Sequence, residues 1–407
     1  MSFRLFSISS MYSGYLESFY LKYFDLEKLS YQDHINFLIE DTTEFVGSYI
    51  RNFRKLGIDA NCVIANDNYL QKKWCRENGI NPDKKKDILF EQVKLNKPDI
   101  LWIEDLNYIT PDWLNYARQQ IKSIRLIVAY HCAPFNKKVL DNLKCVDFII
   151  TCTPGLKTTT ENMGKNSFLV YHGFDEDLLL RINSDAGIYH NDLIFSGSLI
   201  PGGDFHCKRI KLIERILKEN IEIGLYINLE KRYKIRIKQA IFLFNSLMKK
   251  LGMGKLINNF EVLEYGKTWV TNYSDTLMKV KNPPVYGIDM YNLFMYSKIV
   301  MNFHIGVAGD YAGNMRMFEV TGVGSCLLTD NKKNMKELFD INNEVVVYES
   351  EDDCISKVKW LLENEDERKK IALNGQQRTL KSHTVENRCK SIIEIINHEL
   401  KFVRNVI

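Results

Sequence analysis

A glycine-rich loop followed by a short helix with one arginine and one glutamate is the segment of this sequence best suited to bind a ligand. The loop spans residues 304–313 and holds three glycines, and Asn314 starts a helix that carries Arg316 and Glu319. Backbone N–H groups at a helix N-terminus attract anions such as phosphate. A carboxylate further along can accept hydrogen bonds from sugar hydroxyls. The spacing therefore favours a site for the diphosphate and the ribose of a nucleotide sugar.

The same two charged residues also have the spacing of an ion pair within one helix. Arg316 opposes the positive end of the helix dipole, so it needs an anionic partner. Glu319 lies among Phe318, Val320 and Val323, and an acid on such a face is rarely buried alone. Two interpretations stay open: a carboxylate that holds ribose, and a carboxylate paired with Arg316.

Another glycine-rich stretch precedes a basic pair. Gly197 and Ser198 end a predicted strand, residues 201–203 add two more glycines, and Lys208 and Arg209 follow. Glycine allows the backbone to approach a phosphate closely, and the cations can neutralise it. The alternative is an ordinary turn with a solvent-facing arginine, and beside the first loop we weigh the two equally.

Length and composition place these loops in a soluble two-domain protein. The chain has 407 residues, 45% hydrophobic and 26% charged, and two domains of about 200 residues are the natural division. The net charge of +4 gives no argument for nucleic acid. Nine scattered cysteines without a Cys-x-x-Cys pair predict reduced thiols in the cytoplasm rather than disulfides or a zinc site. The sequence shows no signal peptide and no apolar run near the roughly 20 residues of a membrane span.

Short apolar runs alternate with helical patterns along the sequence, which predicts βαβ units and parallel sheets. We therefore predict an α/β fold with two Rossmann-like domains whose sheets face each other across a cleft. The predicted division is residues 1–178 for the first domain, 179–191 for a linker, 192–385 for the second domain and 386–407 for a helix that crosses back to the first. One long amphipathic helix is predicted over residues 31–56.

A helical insertion is predicted at about residues 230–265. Residues 231–250 hold seven lysines and arginines and no acid, with apolar residues between them. A basic amphipathic helix of this kind can lie on an anionic membrane surface. The alternative, a solvated helix with one face on the core, is favoured about two to one.

In open parallel sheets, ligands bind beyond the carboxyl ends of the strands. In the first domain these ends carry Glu104 and Asp105 after one strand and His131 after another. An imidazole with a pKa near 6.5 suits the removal of a proton from a hydroxyl, but a histidine bonded to local backbone is an equal alternative. Glu104 or Asp105 is the other candidate base. A third strand end, with Tyr12, Gly14 and Tyr15, is expected to form a loop beside the acceptor.

The second half of the sequence resembles the group 1-like glycosyltransferases of the spore-maturation CgeB type. The resemblance covers about residues 192–396. It is carried by Tyr286-Gly287, Ile299-Val-Met-Asn302-Phe-His304, Asn314-x-Arg316-x-Phe318-Glu319, Gly324-x-x-Leu-Leu-Thr329-Asp330 and His383-Thr384-x-x-x-Arg388.

This resemblance implies a GT-B enzyme that moves a sugar from a nucleotide diphosphate to a hydroxyl of a glycan or lipid-linked glycan, in cell-surface polysaccharide or glycoconjugate synthesis. The sugar donor would bind the second domain and the acceptor the first. Glu319 matches the acid that holds the ribose, and Tyr286-Gly287 matches the turn that touches the nucleobase. The implied donor-binding set is Glu319, Arg316, Asn314, Lys208, Arg209, Gly197, Ser198, Tyr286, Gly287, His304, Asp310 and Tyr311.

One departure from the resemblance bears on stereochemistry. Many retaining GT-B enzymes have a second glutamate eight positions before the ribose-binding one, where this sequence has Tyr311 with Asp310 beside it. Retention of the anomeric configuration therefore stays open. A nucleotide-sugar epimerase or hydrolase of the same fold, or a non-catalytic nucleotide-sugar binding protein, is the alternative function.

The Asp175-Glu176-Asp177 run has the form of an Asp-x-Asp metal site. In a GT-B chain it falls at the exit to the linker, so we expect a hinge-side turn, no cofactor and no essential metal. His383 and Arg388 are expected to fix the last helix to the body of the fold. The expected partners are a nucleotide-diphosphate sugar and a glycan or lipid-linked acceptor. The expected location is the cytoplasm, at the inner face of the membrane if residues 231–250 bind lipid.

Overall fold

The computed structural model describes residues 3–81, 87–133, 135–182, 191–201, 204–252, 269–304 and 309–404. Its strands are short and mostly buried on both faces, because the chain supplies unbroken aliphatic runs such as Ile100–Ile103. The strands are β1 Arg4–Ser9, β2 Asp59–Ile64, β3 Ile100–Ile103, β4 Leu126–Tyr130, β5 Phe148–Thr151, β6 Ser167–Leu169, β7 Asn191–Leu199, β8 Gly224–Leu229, β9 Lys281–Asn282, β10 Ser297–Met301, β11 Cys326–Asp330 and β12 Val346–Tyr348.

Helices connect these strands, and side-chain caps fix where many of them begin. Thr110, for example, accepts the Trp113 N–H before Pro111, as its sequence predicts. The helices are α1 Ser13–Lys22, α2 Tyr31–Asp41, α3 Phe45–Lys55, α4 Asn68–Glu77, α5 Ile88–Asn96, α6 Pro111–Gln120, α7 Lys137–Leu143, α8 Pro154–Asn162, α9 Asp204–Lys218, α10 Arg232–Lys250, α11 Asp275–Val280, α12 Gly287–Met295, α13 Met315–Gly322, α14 Met335–Leu338, α15 Glu351–Glu363, α16 Glu365–Ser382 and α17 Val385–Arg404.

The strands form two parallel sheets, which confirms the predicted fold class. The first sheet has the order β2-β1-β3-β4-β5-β6 and the second β12-β11-β10-β7-β8-β9. Strand order reverses between β1 and β3 in the first sheet and between β7 and β10 in the second. Each reversal opens a crevice at the carboxyl ends of two strands, which is where open α/β sheets bind ligands.

The predicted helix over residues 31–56 is wrong as a single element. It is two helices, α2 and α3, separated by Thr42, Thr43 and Glu44. Thr42 adopts an extended conformation, and its hydroxyl accepts the Glu44 N–H at 3.1 Å. A β-branched residue whose hydroxyl bonds the following backbone competes with the helix, so the chain breaks here. The break places Glu44 at the N-terminus of α3.

The last helix packs into the core of the first domain. In α17, the side chains of Cys389, Ile392 and Ile396 are fully buried in the same apolar cluster as α3 and β1. His383 and Arg388 hold its start: Arg388 donates to the His383 Nδ1 at 2.7 Å and to the His172 carbonyl at 3.0 Å.

The segment between the sheets is partly folded onto both domains. Glu176–Leu180 forms a 3-10 helix, and Leu178 and Ile182 are buried in the core of the second domain. Asp175 pairs with Arg51 of α3 at 2.5 Å. Residues 183–190 of the predicted linker and residues 253–265 of the predicted insertion lie outside the described residues.

Burial of α17 predicts a specific loss of stability. Truncation of Ile392 to alanine should lower the free energy of unfolding by about 2–5 kcal/mol, because the methylenes leave a cavity in a packed core. Urea unfolding followed by tryptophan fluorescence would measure it. Leu373→Ala, at a half-exposed helical position, is the control and should change stability by less than about 0.5 kcal/mol. Equal effects would contradict the packing of α17.

Candidate functional site

A buried arginine bridges the crevice of the second sheet. The Arg209 guanidinium donates to the Ser198 carbonyl at 3.0 Å, at the end of β7, and to the Phe303 carbonyl, just beyond β10. Its cation also lies 5.3 Å from the centre of the Phe195 ring. Burial lowers the Arg209 pKa to about 10. The arginine therefore fixes positive charge at the point where strand order reverses.

The N-terminus of α13 opens onto the same crevice. Asn314 precedes the helix, but its side chain does not cap it. Instead the Asn314 amide donates to Asn302 at 2.8 Å, and Asn302 donates to Thr329 at 2.9 Å. Asn302 follows β10 and Thr329 lies near the end of β11, so this network fixes the helix start over the ends of these two strands. The Asn314 side chain therefore leaves the positive end of the helix uncapped.

Glu319 is buried behind this helix start and is paired with Arg316. One carboxylate oxygen accepts Arg316 at 2.8 Å, and the other accepts the Tyr291 hydroxyl at 3.3 Å. The Arg316 cation lies 4.6 Å from the centre of the Phe294 ring. The ion pair that the sequence left as one interpretation is thus present. A carboxylate offers about four acceptor positions, so two remain for a ligand.

His304 and Asp330 form a pair that the sequence analysis only half identified. Asp330 accepts both the backbone N–H and the Nδ1 of His304 at 2.8 Å. Burial alone would raise the Asp330 pKa, but these bonds to His304 outweigh it and the pKa is lowered. The His304 Nε2 is buried and meets no hydrogen-bond partner among the described residues. A buried polar atom of this kind needs a partner, which a ligand can supply.

Other predicted donor-binding residues lie at the edge of the site. Lys208 is exposed although Arg209 beside it is buried, so the basic pair does not act as one unit. Gly197 lies against Phe195 and Arg209. Asp310 is exposed and pairs with Lys333 at 2.6 Å. Residues 202–203 and 305–308 of the two glycine-rich segments lie outside the described residues.

The crevice of the first sheet holds Glu104. Its N–H donates to the Ile8 carbonyl of β1 at 3.0 Å, which places it between β1 and β3. Its carboxyl bonds Ser9, and its Oε2 is buried without a hydrogen-bond partner in the described chain. Burial and then the charge of Asp105 raise the Glu104 pKa to about 8, against the opposing bond from Ser9. Asp105 itself accepts Ser10 at 2.6 Å and Asn107 at 2.9 Å, which gives it a structural role.

Glu44 is a site residue that the sequence analysis missed. Its carboxylate accepts the Tyr12 N–H at 3.1 Å, and burial, with a smaller contribution from Glu104, raises its pKa to about 8. Tyr12 keeps 74% of its surface accessible. Desolvation and then the charges of Glu44 and Glu319 raise the Tyr12 pKa, against the opposing charge of Arg316. Acids of both domains therefore act on one tyrosine in the cleft. In the sequence, the Thr42-Thr43 pair was the only local sign that a helix ends just before Glu44.

His131 lies at the end of β4, as predicted, and its side chain is buried. Its N–H donates to the Ile150 carbonyl at 2.9 Å, and its buried ring packs 5.0 Å from Phe135. The next residue, Cys132, forms a disulfide with Cys152 beyond β5. The expectation that all cysteines are reduced is therefore wrong for this pair, because two neighbouring strands end beside each other.

The described part of the chain contains one group of side chains that could be considered as metal ligands. There, Cys132, Cys152 and His172 are the group of possible ligands that lie close together. The two sulfurs are bonded to each other, so the group offers one free ligand atom, fewer than the three or four of a zinc site. In the Asp175-Glu176-Asp177 run, Asp175 pairs with Arg51 and the other two acids with Lys55.

The two domains touch where glycines allow close approach. A Cβ on Gly14 would lie 2.6 Å from the Tyr286 hydroxyl, and Tyr15 packs beside Gly287. The predicted acceptor loop and the predicted nucleobase turn thus meet each other. A Cβ on Gly155 would lie 3.0 Å from the Tyr311 ring. These contacts bring the carboxyl edges of both sheets to one cleft.

Comparisons with known proteins agree with this geometry. Residues 241–394 match the model of a family described as glycosyl transferase-like. The comparison with curated proteins gives no significant match.

Three solved structures illustrate the similarity of fold. Anabaena Alr3699/HepE, crystallised with UDP and glucose, is 11% identical over 97% of this chain and all of its own, with a TM-score of 0.58. Sucrose-phosphate synthase from Thermosynechococcus elongatus is 8% identical over 98% of this chain and 99% of its own, at 0.53. A glycosyltransferase from Rickettsia africae is 10% identical over 99% and 98%, at 0.51.

The two facing Rossmann-like domains define a GT-B fold. Residues 241–394 are thus glycosyl transferase-like in sequence, and the fold of the chain agrees with an enzyme of the glycosyltransferase class. The resemblance in the sequence is thereby confirmed. In the described ranges, no helix has both the length and the apolar character that a bilayer span requires.

The raised pKa of Glu104 predicts a pH dependence of stability. Between pH 4.5, the ordinary value, and about 8, the folded protein keeps a proton that the unfolded chain releases. The free energy of unfolding therefore falls as pH rises through this window, by about 1.4 kcal/mol per unit of pKa difference. In Glu104→Gln this fall should be shallower. Urea unfolding at several pH values measures it, with exposed Glu394→Gln as control. Parallel curves for wild type and Glu104→Gln would contradict the buried carboxyl.

Proposed function

We propose that the enzyme transfers a sugar from a nucleoside-diphosphate sugar to a hydroxyl of a glycan or lipid-linked glycan, in the synthesis of a cell-surface polysaccharide or glycoconjugate. The observation that carries this proposal is the buried Arg209, which spans the second crevice while α13 opens onto the same crevice with Glu319 behind its start. Solved structures of the same fold bind UDP and UDP-glucose, so we take UDP as the first nucleotide to test.

The described residues offer three contacts to the sugar donor. The diphosphate lies against Arg209 and the N–H groups of α13, where a cation and a helix dipole stabilise its negative charge. The His304 Nε2, oriented by Asp330, gives a further contact to phosphate. The ribose hydroxyls bond the two free acceptor positions of Glu319. As the glycosidic bond breaks, these groups stabilise the leaving diphosphate.

The first domain supplies the acceptor side. Glu104 is our preferred base, because its Oε2 lies at the first crevice and a pKa of about 8 is close to working pH. Glu44 and Tyr12 lie beside it and contact the acceptor. His131 stays the alternative base. Cations and backbone N–H groups provide the charge stabilisation that a metal provides elsewhere, so we propose no essential metal.

A lipid-linked acceptor would bring the enzyme to the inner face of a membrane. Residues 231–250 are the segment suited to that contact, since seven basic residues and no acid lie there.

The ribose contact is tested by Glu319→Gln. Loss of bonds to a charged carboxylate should weaken the binding of UDP and UDP-sugars about 10- to 100-fold. Isothermal titration calorimetry measures it. Glu367→Gln is the matched control, because Glu367 also pairs with a base three positions away, Lys370, on an exposed helix. Unchanged affinity in Glu319→Gln would contradict the ribose contact.

The base is tested by comparing Glu104→Gln with His131→Ala. Loss of a general base should lower kcat about 10²- to 10⁴-fold. In the wild type, kcat/KM should rise with pH to a plateau above about 8, because the base acts when ionised. Sugar transfer from a UDP-sugar panel, with and without chelator, provides the assay. Near-normal turnover of Glu104→Gln with loss in His131→Ala would move the role to His131, and loss of all activity with chelator would contradict metal independence.

A further inference from the structure

Helix α10 turns a continuous apolar stripe toward solvent. The stripe consists of Tyr233, Ile237, Phe244 and Leu247 and continues to Leu251, the residue that caps the helix; each is 50–63% exposed. These residues recur at intervals of four, seven, three and four, which places them on one side of a helix with 3.6 residues per turn. Soluble proteins rarely expose so many large apolar side chains in one row.

The opposite side of α10 attaches the helix to the second domain. Ile235 and Asn245 are 1% and 5% exposed, and the Gln239 amide donates to the Val270 carbonyl at 2.9 Å. The Phe242 ring lies 5.6 Å from that of Trp269. One apolar side of the helix therefore packs against the protein. The exposed stripe is a second apolar side, which does not pack against the described part of the domain.

Positive charge borders the stripe on both flanks. At 100° per residue, Arg232, Arg236 and Lys250 fall on one flank and Lys234 on the other, and all four are exposed. The nearest acid along the chain, Glu230, is paired with Lys238 at 2.8 Å. No acid occurs from 231 to 250, so no charge of the helix itself offsets this border.

We infer that α10 is a docking helix that lays the second domain on a bilayer of anionic phospholipids. An apolar stripe with basic flanks is the arrangement that lies in a membrane interface, with the apolar side chains among the acyl chains and the cations at the headgroups. The helix of 19 residues is about 28 Å long. A second copy of the chain fits less well, because a two-fold contact would bring two basic helices together.

This inference rests on the proposed function, since it gives a lipid-linked acceptor its route to the cleft. It concerns a surface on α10, whereas sugar-donor binding depends on Arg209 and Glu319. The two can therefore fail separately. Because the stripe is exposed, charged substitutions in it should leave the fold intact.

The test is flotation of the full chain with vesicles. Wild type should float with phosphatidylcholine vesicles that contain about one third phosphatidylglycerol, and bind pure phosphatidylcholine weakly, because cations require anionic headgroups. The double variant Phe244→Glu/Leu247→Glu should lose at least about tenfold in partitioning, since it places charge among acyl chains. Added salt should weaken wild-type binding.

Leu373→Glu is the matched control, because Leu373 is 53% exposed on another helix of the same domain; it should float like wild type. Calorimetry with UDP should give the same affinity for the double variant as for wild type, which separates membrane docking from sugar-donor binding. Wild type that stays unbound to anionic vesicles, or a double variant that floats as well as wild type, would overturn the inference. So would a wild-type dimer that the double variant dissociates, because the stripe would then bind a second copy.

Discussion

A guanidinium held out of water at the carboxyl ends of two strands is the interaction on which the site depends. Burial removes water from the Arg209 guanidinium, and this desolvation lowers its pKa. Hydrogen bonds to two carbonyls and the contact with an aromatic ring partly replace the lost hydration. A diphosphate would add a strong attraction, because opposite charges attract strongly where water is excluded. The fold therefore places positive charge at this crevice, and the helix start at Asn314 lies at the same place.

The second constraint is that two such crevices must meet. The chain joins the domains through the Asp175–Arg51 pair and through α17, which buries Ile392 and Ile396 in the first core. Glycines then let the facing edges approach, as Gly14 does beneath Tyr286. The result brings acids of the first domain and charges of the second to one tyrosine, Tyr12. A cleft of this form can exclude water when it closes on a substrate.

Local patterns account for what the sequence predicted well. Aliphatic runs and capping residues act within a few positions. Strands such as Ile100–Ile103 and helices such as Pro111–Gln120 can therefore be predicted from the sequence. Glu319 stood out because an acid in an apolar helix face needs a partner. The exposure of Lys208 beside buried Arg209 was harder to predict, because it depends on how α9 is rotated against the sheet.

What the sequence did not predict comes from contacts between distant segments. Glu44 matters because a break after Thr42 turns it toward Tyr12, and amphipathic periodicity continued across that break. Cys132 and Cys152 are joined because β4 and β5 end side by side, which cysteine spacing does not reveal. Tyr286 meets Gly14 only after both domains are folded.

The central claim is that the second crevice holds the nucleotide. A crystal structure of the enzyme with UDP or a UDP-sugar tests it most directly. The account predicts the diphosphate between Arg209 and the first turn of Met315–Gly322, with the ribose hydroxyls on Glu319. Nucleotide bound elsewhere, without a contact to the Arg209 guanidinium, would contradict it.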